Sequence, residues 1–305
     1  MLLSVAVGIR LMSLLRCNQM RKPSMPEGLK GMKMGNELVS IIMLSHGDST
    51  HIVETVKSIL AQTYQNWELL FVAKTDDESL KPFSLLREEY IKIQKMAGKV
   101  LTDSYSNSRI KVSYIVGEDN DTPRRNSALA NAQGRWIAFL DAGDIWEPTK
   151  LEKQICFMEE HGYAFSYTQY VIIDKDSHDR GFVIGGKDKV TCQDMMKCCW
   201  PAYLTVMYDA EKVGRLQLRN LKGNNDYALW LIASEEADCY LLKENLAKLR
   251  TKWGLLGKFL LTNGIKWRYE VYRIEYRKNP IVACLMTIRN MWYGVVKWMK
   301  YVERV

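Results

Sequence analysis

A short apolar run that stops at two acids constrains this chain more than any other feature. Residues 136–140 read Trp-Ile-Ala-Phe-Leu, and this mix of aromatic and β-branched side chains predicts a buried strand. Asp141 and Asp144 follow at once, separated by Ala142 and Gly143. Glycine lets the backbone turn tightly, so both carboxylates can point toward one place. Because ligands bind beyond the carboxyl ends of strands in open α/β sheets, the sequence predicts a ligand site at this turn.

The two acids also indicate a kind of ligand. Two convergent carboxylates suit a hard divalent cation, and such a cation can neutralise a phosphate leaving group. We therefore interpret Asp141 and Asp144 as a candidate site for Mn²⁺ or Mg²⁺. The alternative interpretation is a polar turn that caps the next helix, and the spacing alone does not decide between the two.

The chain has 305 residues, enough for one large α/β domain with an appendage. Charge is distributed unevenly along it. Residues 1–35 carry six basic residues and one acidic residue. Residues 36–251 carry 26 basic and 31 acidic residues, and residues 252–305 carry eleven basic and three acidic residues. Two basic ends thus flank a mildly acidic middle. Basic ends favour an anionic lipid surface or nucleic acid as a partner, and plain solubility is the alternative.

The amino terminus and the cysteines give no targeting or metal signal. The first apolar stretch is interrupted by Arg10, and no small-residue cleavage site follows it. We interpret residues 1–36 as a basic arm or a mis-assigned start. Seven cysteines without paired spacing and four scattered histidines do not form a zinc motif, and they predict reduced thiols in the cytosol.

Residues 37–250 alternate between short apolar runs and amphipathic segments, which is typical of an α/β domain. Residues 38–44 and 67–72 predict strands, and the apolar face of residues 52–60 predicts a helix between them. Such a unit should pair in parallel with a right-handed crossover. The same patterns predict, in chain order, a helix over 80–100, a strand over 110–116, a helix from Thr122, a helix opened by a capping box at Thr149 and Glu152, a strand over 164–173, a helix over 226–233 and a short strand over 239–242.

Residues 251–305 have a different composition. They hold four of the nine tryptophans, interleaved with lysine and arginine at helical spacing: Trp253, Trp267, Trp292 and Trp298. Residues 281–299 are mostly apolar, but Arg289 and Lys297 argue against a membrane-spanning helix. Tryptophan together with basic residues is typical of a helix that lies on an anionic membrane surface. We therefore predict a helical, membrane-interfacial appendage, and the alternative is a helical tail packed on the domain.

Several segments occur together in an order that is typical of one family. They are residues 39–42 (Val-Ser-Ile-Ile), residues 58–68 (Ser-Ile-Leu-Ala-Gln-Thr-Tyr-Gln-Asn-Trp-Glu), the pair Arg125-Asn126, residues 134–144, and residues 225–231 (Asn-Asp-Tyr-Ala-Leu-Trp-Leu). Each is weak alone, but together they cover about residues 38–250. This region closely resembles glycosyltransferase family 2.

The resemblance implies a GT-A fold, which is an α/β fold with a Rossmann-like, mostly parallel central sheet flanked by helices. It implies an inverting hexosyltransferase that moves a sugar from a nucleotide-diphosphate-sugar donor to a hydroxyl of a glycan or lipid-linked glycan, in cell-surface polysaccharide synthesis. With the basic tail, we expect a cytoplasmic enzyme that is peripheral on the inner face of the cell membrane. No nucleic-acid partner is expected.

The resemblance also assigns roles to single residues. Asp226 would be the catalytic base that takes the proton from the acceptor hydroxyl, and a helix start there would favour the anion. Trp230 would lie on the acceptor side. The donor-binding residues would be Ser45, Asp76, Arg125 and Asp141. The alternatives are a helix cap for Asp226, a core position for Trp230 and a surface position for Arg125.

Three positions depart from the family pattern. Where the family usually has two acids after the second strand, this chain has Ala73-Lys74, so Asp76 or Asp77 would have to substitute. The metal motif has Gly143 where an acid is common, and Asn225 replaces a usual glutamate. These departures leave open a non-catalytic scaffold that binds nucleotide-sugars. A nucleotidyltransferase is the weaker alternative, because no glycine-rich basic loop follows the first strand.

Overall fold

The computed structural model describes residues 35–44, 51–74, 109–115, 121–219, 221, 223, 225–251 and 262–304. The predictions that concern Ser45, Asp76, a helix over 80–100 and residues 1–34 lie outside the described residues.

Four parallel strands form the amino-terminal half of the sheet. They are β1 (Val39–Leu44), β2 (Trp67–Lys74), β3 (Ile110–Ile115) and β4 (Trp136–Phe139), in the spatial order β3-β2-β1-β4. Every residue of β1 is buried, as expected for a central parallel strand. Helix α1 (Ile52–Leu60) joins β1 to β2, and α2 (Asp121–Asn131) leads into β4 and packs on β1 and β2. The predicted strand–helix–strand unit and its parallel pairing are confirmed.

The second half of the sheet is mixed rather than parallel. Strand β9 pairs antiparallel with both β4 and β6, and so joins the two halves. The elements after β4 are β5 (Ile145–Trp146), α3 (Lys150–His161), β6 (Phe165–Ile173), β7 (Asp179–Ile184), β8 (Lys189–Val190), α4 (Cys192–Met195), a 3₁₀ turn (Tyr203–Thr205), β9 (Met207–Asp209), α5 (Ala210–Val213), α6 (Asn225–Glu236), β10 (Cys239–Arg250), α7 (Thr262–Ile274), α8 (Pro280–Tyr301) and β11 (Val302–Arg304).

Two details of the sequence prediction are wrong. The last strand of the domain, β10, has twelve residues instead of four, because it pairs along its length with β6 and also with β5 and β8. The capping box at α3 does not form. The Thr149 side chain makes no capping bond, and the Glu152 carboxylate instead accepts a bond from Thr63 Oγ1 at 2.5 Å. Helix α3 ends at Gly162, which adopts a left-handed φ of 69° there.

Gly134 is required where α2 gives way to β4. A Cβ atom at this position would lie 2.6 Å from the Leu38 carbonyl oxygen and 2.6 Å from the Ser40 nitrogen. The Gly134 amide also donates to Ser40 Oγ at 2.8 Å, and that hydroxyl donates to Glu68 at 2.6 Å. The close approach therefore fixes β4 beside β1, and with it the turn that follows β4.

The carboxyl-terminal helices share the core of the sheet domain. Val271 and Tyr272 of α7, with Ala283 and Met286 of α8, belong to the same buried cluster as the strands. After α8, strand β11 pairs antiparallel with β7. The compact unit accordingly runs over 36–305. Among the described residues, no helix has the length and apolarity needed to cross a membrane.

Candidate active site

The ladder of hydrogen bonds between β4 and β1 continues for one residue past β4, and the chain then turns. The Leu140 amide still donates to the Ile42 carbonyl at 3.1 Å, as in a parallel ladder. The turn then closes with a bond of 3.2 Å from the Asp144 amide to the Asp141 carbonyl. Gly143 has a φ of 111°, which glycine adopts without strain. The turn thus brings both acids to the carboxyl edge of the parallel strands, as the sequence predicts.

Arg250, the last residue of β10, holds this turn from one side. Its backbone amide donates to Asp144 Oδ1 at 2.8 Å, and its Nε donates to the Gly143 carbonyl at 2.7 Å. Thr55 of α1 accepts a bond of 2.9 Å from the Gly143 amide on another side. The Asp144 residue is 8% exposed, so its carboxylate is held in place rather than free in solvent.

The rest of the Arg250 guanidinium ties the turn to the hairpin between β6 and β7. Nη1 lies 3.0 Å from the Asp174 carbonyl, 3.1 Å from the Lys175 carbonyl and 3.0 Å from Ser177 Oγ. Nη2 pairs with Glu54 of α1 at 2.6 Å, and the arginine side chain is 7% exposed. Sequence reasoning missed Arg250, because a single arginine at the end of a strand has no pattern that distinguishes it.

Arg125 of α2 is a buried cation with unused donors. Its guanidinium lies over the ring of Tyr203, 4.3 Å from the centroid. The residue is 4% exposed, and its Nε and Nη1 atoms have no hydrogen-bond partner among the residues that the structure describes. A buried guanidinium with open donors is costly unless a ligand satisfies it, and its geometry matches phosphate or carboxylate oxygens.

Charges of opposite sign surround this guanidinium. Burial lowers the pKa of Arg125, but interactions with Tyr203, Asp141, Asp226 and Asp121 outweigh burial and raise that pKa above its ordinary value. Burial has the opposite effect on the phenol of Tyr203, whose pKa it raises well above the usual range. The structure therefore brings Arg125, Asp141 and Asp226 into one electrostatic neighbourhood, although they are far apart in sequence.

Helix α2 also fixes the loop that leads into α6. Asn126 uses both ends of its amide on the backbone of Leu218, with two bonds of 2.8 Å. The hydroxyl of Thr122 lies 2.7 Å from the Leu221 carbonyl and 3.1 Å from Asn225 Oδ1. The helix that carries Arg125 is thus bonded to the start of the helix that carries the candidate base.

Asp226 lies half-buried in the first turn of α6. Its carboxylate makes no hydrogen bond or ion pair with any residue of the described part. The preceding loop is held closely, because a Cβ at Gly223 would lie 2.3 Å from the ring of Trp267 in α7. The backbone before Asp226 is therefore held close to α7.

Trp230 does not fit the acceptor contact that the resemblance implies. The residue is 0% exposed, and its ring packs edge-on against Phe139 with centroids 5.1 Å apart. Phe165 and Tyr203 lie at 6.0 and 6.1 Å. With no part of the ring at the surface, Trp230 is a core residue, and we do not carry the acceptor prediction forward.

A second group of polar side chains lies in the turn between β6 and β7. Ligand atoms of Asp174, Asp176 and His178 lie within 4.8 Å of one another. Asp174 Oδ1, however, already accepts the backbone amides of Asp176 and His178, at 2.8 and 3.0 Å. The His178 amide is the main cause that lowers the pKa of Asp174. These contacts are turn chemistry, and we do not assign a metal to this group.

The comparisons with known proteins agree with this geometry. The family model described as "Glycosyl transferase family 2" matches residues 40–197. The chain belongs to glycosyl transferase family 2. Its relatives include TuaG of Bacillus subtilis, provisionally named as a teichuronic acid biosynthesis glycosyltransferase. That protein is 35% identical over 264 residues, with 80% of this chain and 96% of TuaG covered.

A second relative carries a more specific name. WfgD of Escherichia coli is named a UDP-Glc:alpha-D-GlcNAc-diphosphoundecaprenol beta-1,3-glucosyltransferase, and it is 32% identical over 266 residues, or 87% of this chain and 96% of WfgD. Among solved structures, TarS of S. aureus has a TM-score of 0.56 at 15% identity, with 84% of this chain and 72% of that chain covered. The family-2 chain described here thus has the GT-A fold that its sequence predicts.

Another solved structure shares the fold and contains a metal. The mannosyltransferase PcManGT of Pyrobaculum calidifontis, in complex with GDP-Man and Mn2+, has a TM-score of 0.55 at 12% identity. The match covers 95% of this chain and 79% of the PcManGT chain. In this family-2 chain the residues present fit a divalent cation, since Asp144 is held by a backbone amide and Asp141 shares its turn. Magnesium-type sites commonly combine one or two carboxylates with substrate phosphates.

Proposed function

We propose that this chain is an inverting hexosyltransferase, which moves a sugar from a nucleotide-diphosphate sugar to a hydroxyl of a lipid-linked glycan during cell-surface polysaccharide synthesis. The observation that carries the proposal is the buried Arg125 guanidinium, with open Nε and Nη1 donors, near Asp141 and Asp226. A diphosphate would satisfy these donors with charge-assisted bonds. The name of WfgD, which includes UDP-Glc and a GlcNAc-diphosphoundecaprenol, supports this substrate class.

A divalent cation would be held by Asp141 and Asp144 together with the donor diphosphate. When bound, such an ion neutralises charge on the departing nucleotide diphosphate. The chain itself contributes the rigidity of the site, because Arg250 and Thr55 hold the turn through Gly143. Ser45 and Asp76 stay in the proposal as donor contacts, on the family resemblance alone.

Asp226 is proposed as the base. An inverting displacement needs a proton acceptor on the acceptor hydroxyl, on the sugar face opposite the leaving group. The Asp226 carboxylate has no competing bond in the described part, and it belongs to the same charged neighbourhood as Arg125 and Asp141. The reaction is proposed to take place at the cytoplasmic face of the cell membrane, where a lipid-linked acceptor would be held.

The test is transfer from labelled UDP-glucose to a GlcNAc-diphospho-polyprenol acceptor in the presence of Mn²⁺, together with a thermal-shift panel of nucleotide-sugars. A donor at a hundredfold excess over its dissociation constant should stabilise the fold by about 2.7 kcal/mol. Stabilisation by a donor, with product of inverted configuration, supports the proposal. Donor binding without any donor hydrolysis or transfer would favour the non-catalytic scaffold. Failure of every nucleotide-sugar to stabilise the chain would contradict both.

A further inference from the structure

Helix α8 has one face that is buried against the protein and an opposite, apolar face that is exposed. The covered face contains Ala283, Met286 and Asn290. The opposite face carries a row of exposed side chains, which we call the outer stripe: Ile281 (74% exposed), Leu285 (61%), Ile288 (60%), Trp292 (67%), Val295 (40%) and Met299 (73%). Successive members are four or three positions apart, so they form one continuous line along the helix. Exposed apolar lines of this length mark interaction surfaces in soluble chains.

An apolar groove extends the outer stripe toward α7. The groove has a volume of about 390 Å³, and its lining includes Ile265 and Tyr269 from α7 and Cys284 and Ile288 from α8. Ile288 belongs to both the groove and the outer stripe. The apolar surface is therefore broader than one helix, and it contains a recess.

The charge around the outer stripe indicates which occupant it suits. Residues 280–301 contain Arg289, Lys297 and Lys300 and no acidic residue. Lys297 turns inward and donates to the Trp200 carbonyl at 2.6 Å. Arg289, whose Nη2 also lies 3.4 Å from the Met196 carbonyl, and Lys300 are both exposed. Their separation of eleven positions, about three helical turns, puts both on one flank of the stripe. Two copies packed through this face would bring like charges together, whereas an anionic lipid surface would complement them.

We propose that the outer stripe of α8 docks on the surface of an anionic lipid bilayer, with the helix axis in the membrane plane. Acyl chains would contact the stripe and the groove, and the two tryptophans Trp292 and Trp298 would lie at the headgroup level. Arg289 and Lys300 would contact lipid phosphates. Docking depends on no step of sugar transfer and goes beyond the proposed reaction.

The covered face of α8 links this surface to the candidate base. Asn290 Nδ2 donates to the hydroxyl of Tyr227 at 3.0 Å, and Tyr227 is the neighbour of Asp226 in α6. Trp267 of α7 packs against Gly223 in the loop before α6. The helices that would lie on the bilayer therefore also support the segment that carries Asp226. If the proposed function holds, docking places that segment close to the membrane in which a lipid-linked acceptor is anchored.

The experiment is co-sedimentation of the full chain with vesicles of phosphatidylcholine alone, or of phosphatidylcholine with phosphatidylglycerol, without any substrate. We expect binding to the mixed vesicles that falls as salt is raised. Replacing Leu285→Gln and Trp292→Gln together should weaken this binding about tenfold or more. The matched control is Ile274→Gln, a change at a partly exposed apolar residue of α7 outside the stripe, which should leave binding unchanged.

A second pair of variants tests the charge argument. Arg289→Gln with Lys300→Gln should reduce binding to mixed vesicles and flatten its dependence on salt. The control is Lys175→Gln with Lys243→Gln, which also removes two positive charges, but from exposed lysines outside α8. It should change neither the binding to mixed vesicles nor the dependence of that binding on salt. Equal thermal unfolding midpoints establish that each variant is folded. Truncation is unsuitable, because it would also uncover Tyr227 and the rest of the covered face.

Three results would overturn the proposal. The first is unchanged vesicle binding by the stripe variant. The second is equal binding to neutral and mixed vesicles. The third is a native dimer in solution that the stripe variant dissociates, with vesicle binding unaltered, which would make the face an interface between copies. Since these readouts need no donor or acceptor, they are independent of whether sugar transfer occurs.

Discussion

The Nε atom of Arg250 donates to the carbonyl oxygen of Gly143 at 2.7 Å, across 107 positions of sequence. The same residue gives its amide to Asp144. A strand end is thereby fastened to the glycine turn that holds both candidate metal ligands. Residues that hydrogen-bond to metal ligands and orient them typically change metal affinity or activity by about 10–100-fold when they are removed.

We expect Arg250→Lys to weaken metal-dependent donor binding by about this factor, because an ammonium cannot replace the fork of bonds to Gly143, Glu54 and the hairpin. A Mn²⁺ titration of donor binding should shift to higher concentration. Arg135→Lys is the control, since Arg135 pairs with the buried Asp209 and lies before the start of β4, at the other end of that strand from the turn. A metal response altered equally in both variants would reduce Arg250 to a general structural role.

The two acids themselves should matter more than Arg250. Asp141→Asn and Asp144→Asn keep the shape of the turn, and an asparagine oxygen at 144 can still accept the bond from the Arg250 amide. We expect each change to reduce the gain in donor affinity that Mn²⁺ gives, and chelation of metal should leave little further effect. Isothermal titration with and without Mn²⁺ measures this. Asp176→Asn, in the exposed hairpin turn, is the control, and if it behaves like Asp141→Asn the metal lies elsewhere.

Arg125→Met should lower the affinity for the donor without a matching change in the free energy of unfolding. Loss of a charged hydrogen bond to the diphosphate costs about 1.5–3 kcal/mol, or about 10–150-fold in donor affinity. The free energy of unfolding should change little, because loss of the stacking on Tyr203, about 2 kcal/mol when desolvated, is offset by removal of unsatisfied buried donors.

Arg124→Met is the matched comparison for this prediction. Arg124 is equally buried on the same helix, but it is paired with Asp121. Its loss should destabilise the fold and leave donor affinity unchanged in the folded fraction. If Arg125→Met behaves in the same way, the guanidinium is structural and does not contact the donor.

Asp226→Asn tests the base. The amide keeps the shape but cannot take a proton, so we expect transfer to fall by about 10²–10⁴-fold, with donor affinity nearly unchanged. Steady-state transfer and donor binding are measured on the same preparation. If Asp226 only supported the helix start, asparagine would serve as well there, and near-normal transfer would assign it that role.

Sequence patterns predict the elements that depend on local periodicity. Strand β4 is an unbroken apolar run, β1 and β2 are mostly apolar, and α1 has a clear apolar face, so the burial of these elements can be expected from the sequence. Strand β10 is different. Its last eight residues read Lys-Glu-Asn-Leu-Ala-Lys-Leu-Arg, which has helical propensity, and pairing with β6 and β5 makes them a strand.

The candidate site divides in the same way. Asp141, Asp144 and Asp226 follow or begin predictable elements, so their positions can be expected from the sequence. The role of Arg250 depends on contacts with α1, the turn after β4 and the β6–β7 hairpin, and no sequence pattern predicts these contacts. Trp230 illustrates the converse. Its motif suggests a contact with acceptor, but α6 is apolar nearly all round and turns that ring into the core.

The contact between Gly223 and Trp267 limits how this chain can be recombined with its relatives. The indole ring occupies the space where any other residue at 223 would place its first side-chain carbon. A chimera that exchanges the last two helices for those of another family member must therefore keep a glycine at 223 if the new helices place an aromatic ring where Trp267 lies. The loop at Gly223 and the helix that carries Trp267 must therefore be exchanged together, even though about forty positions of sequence separate them.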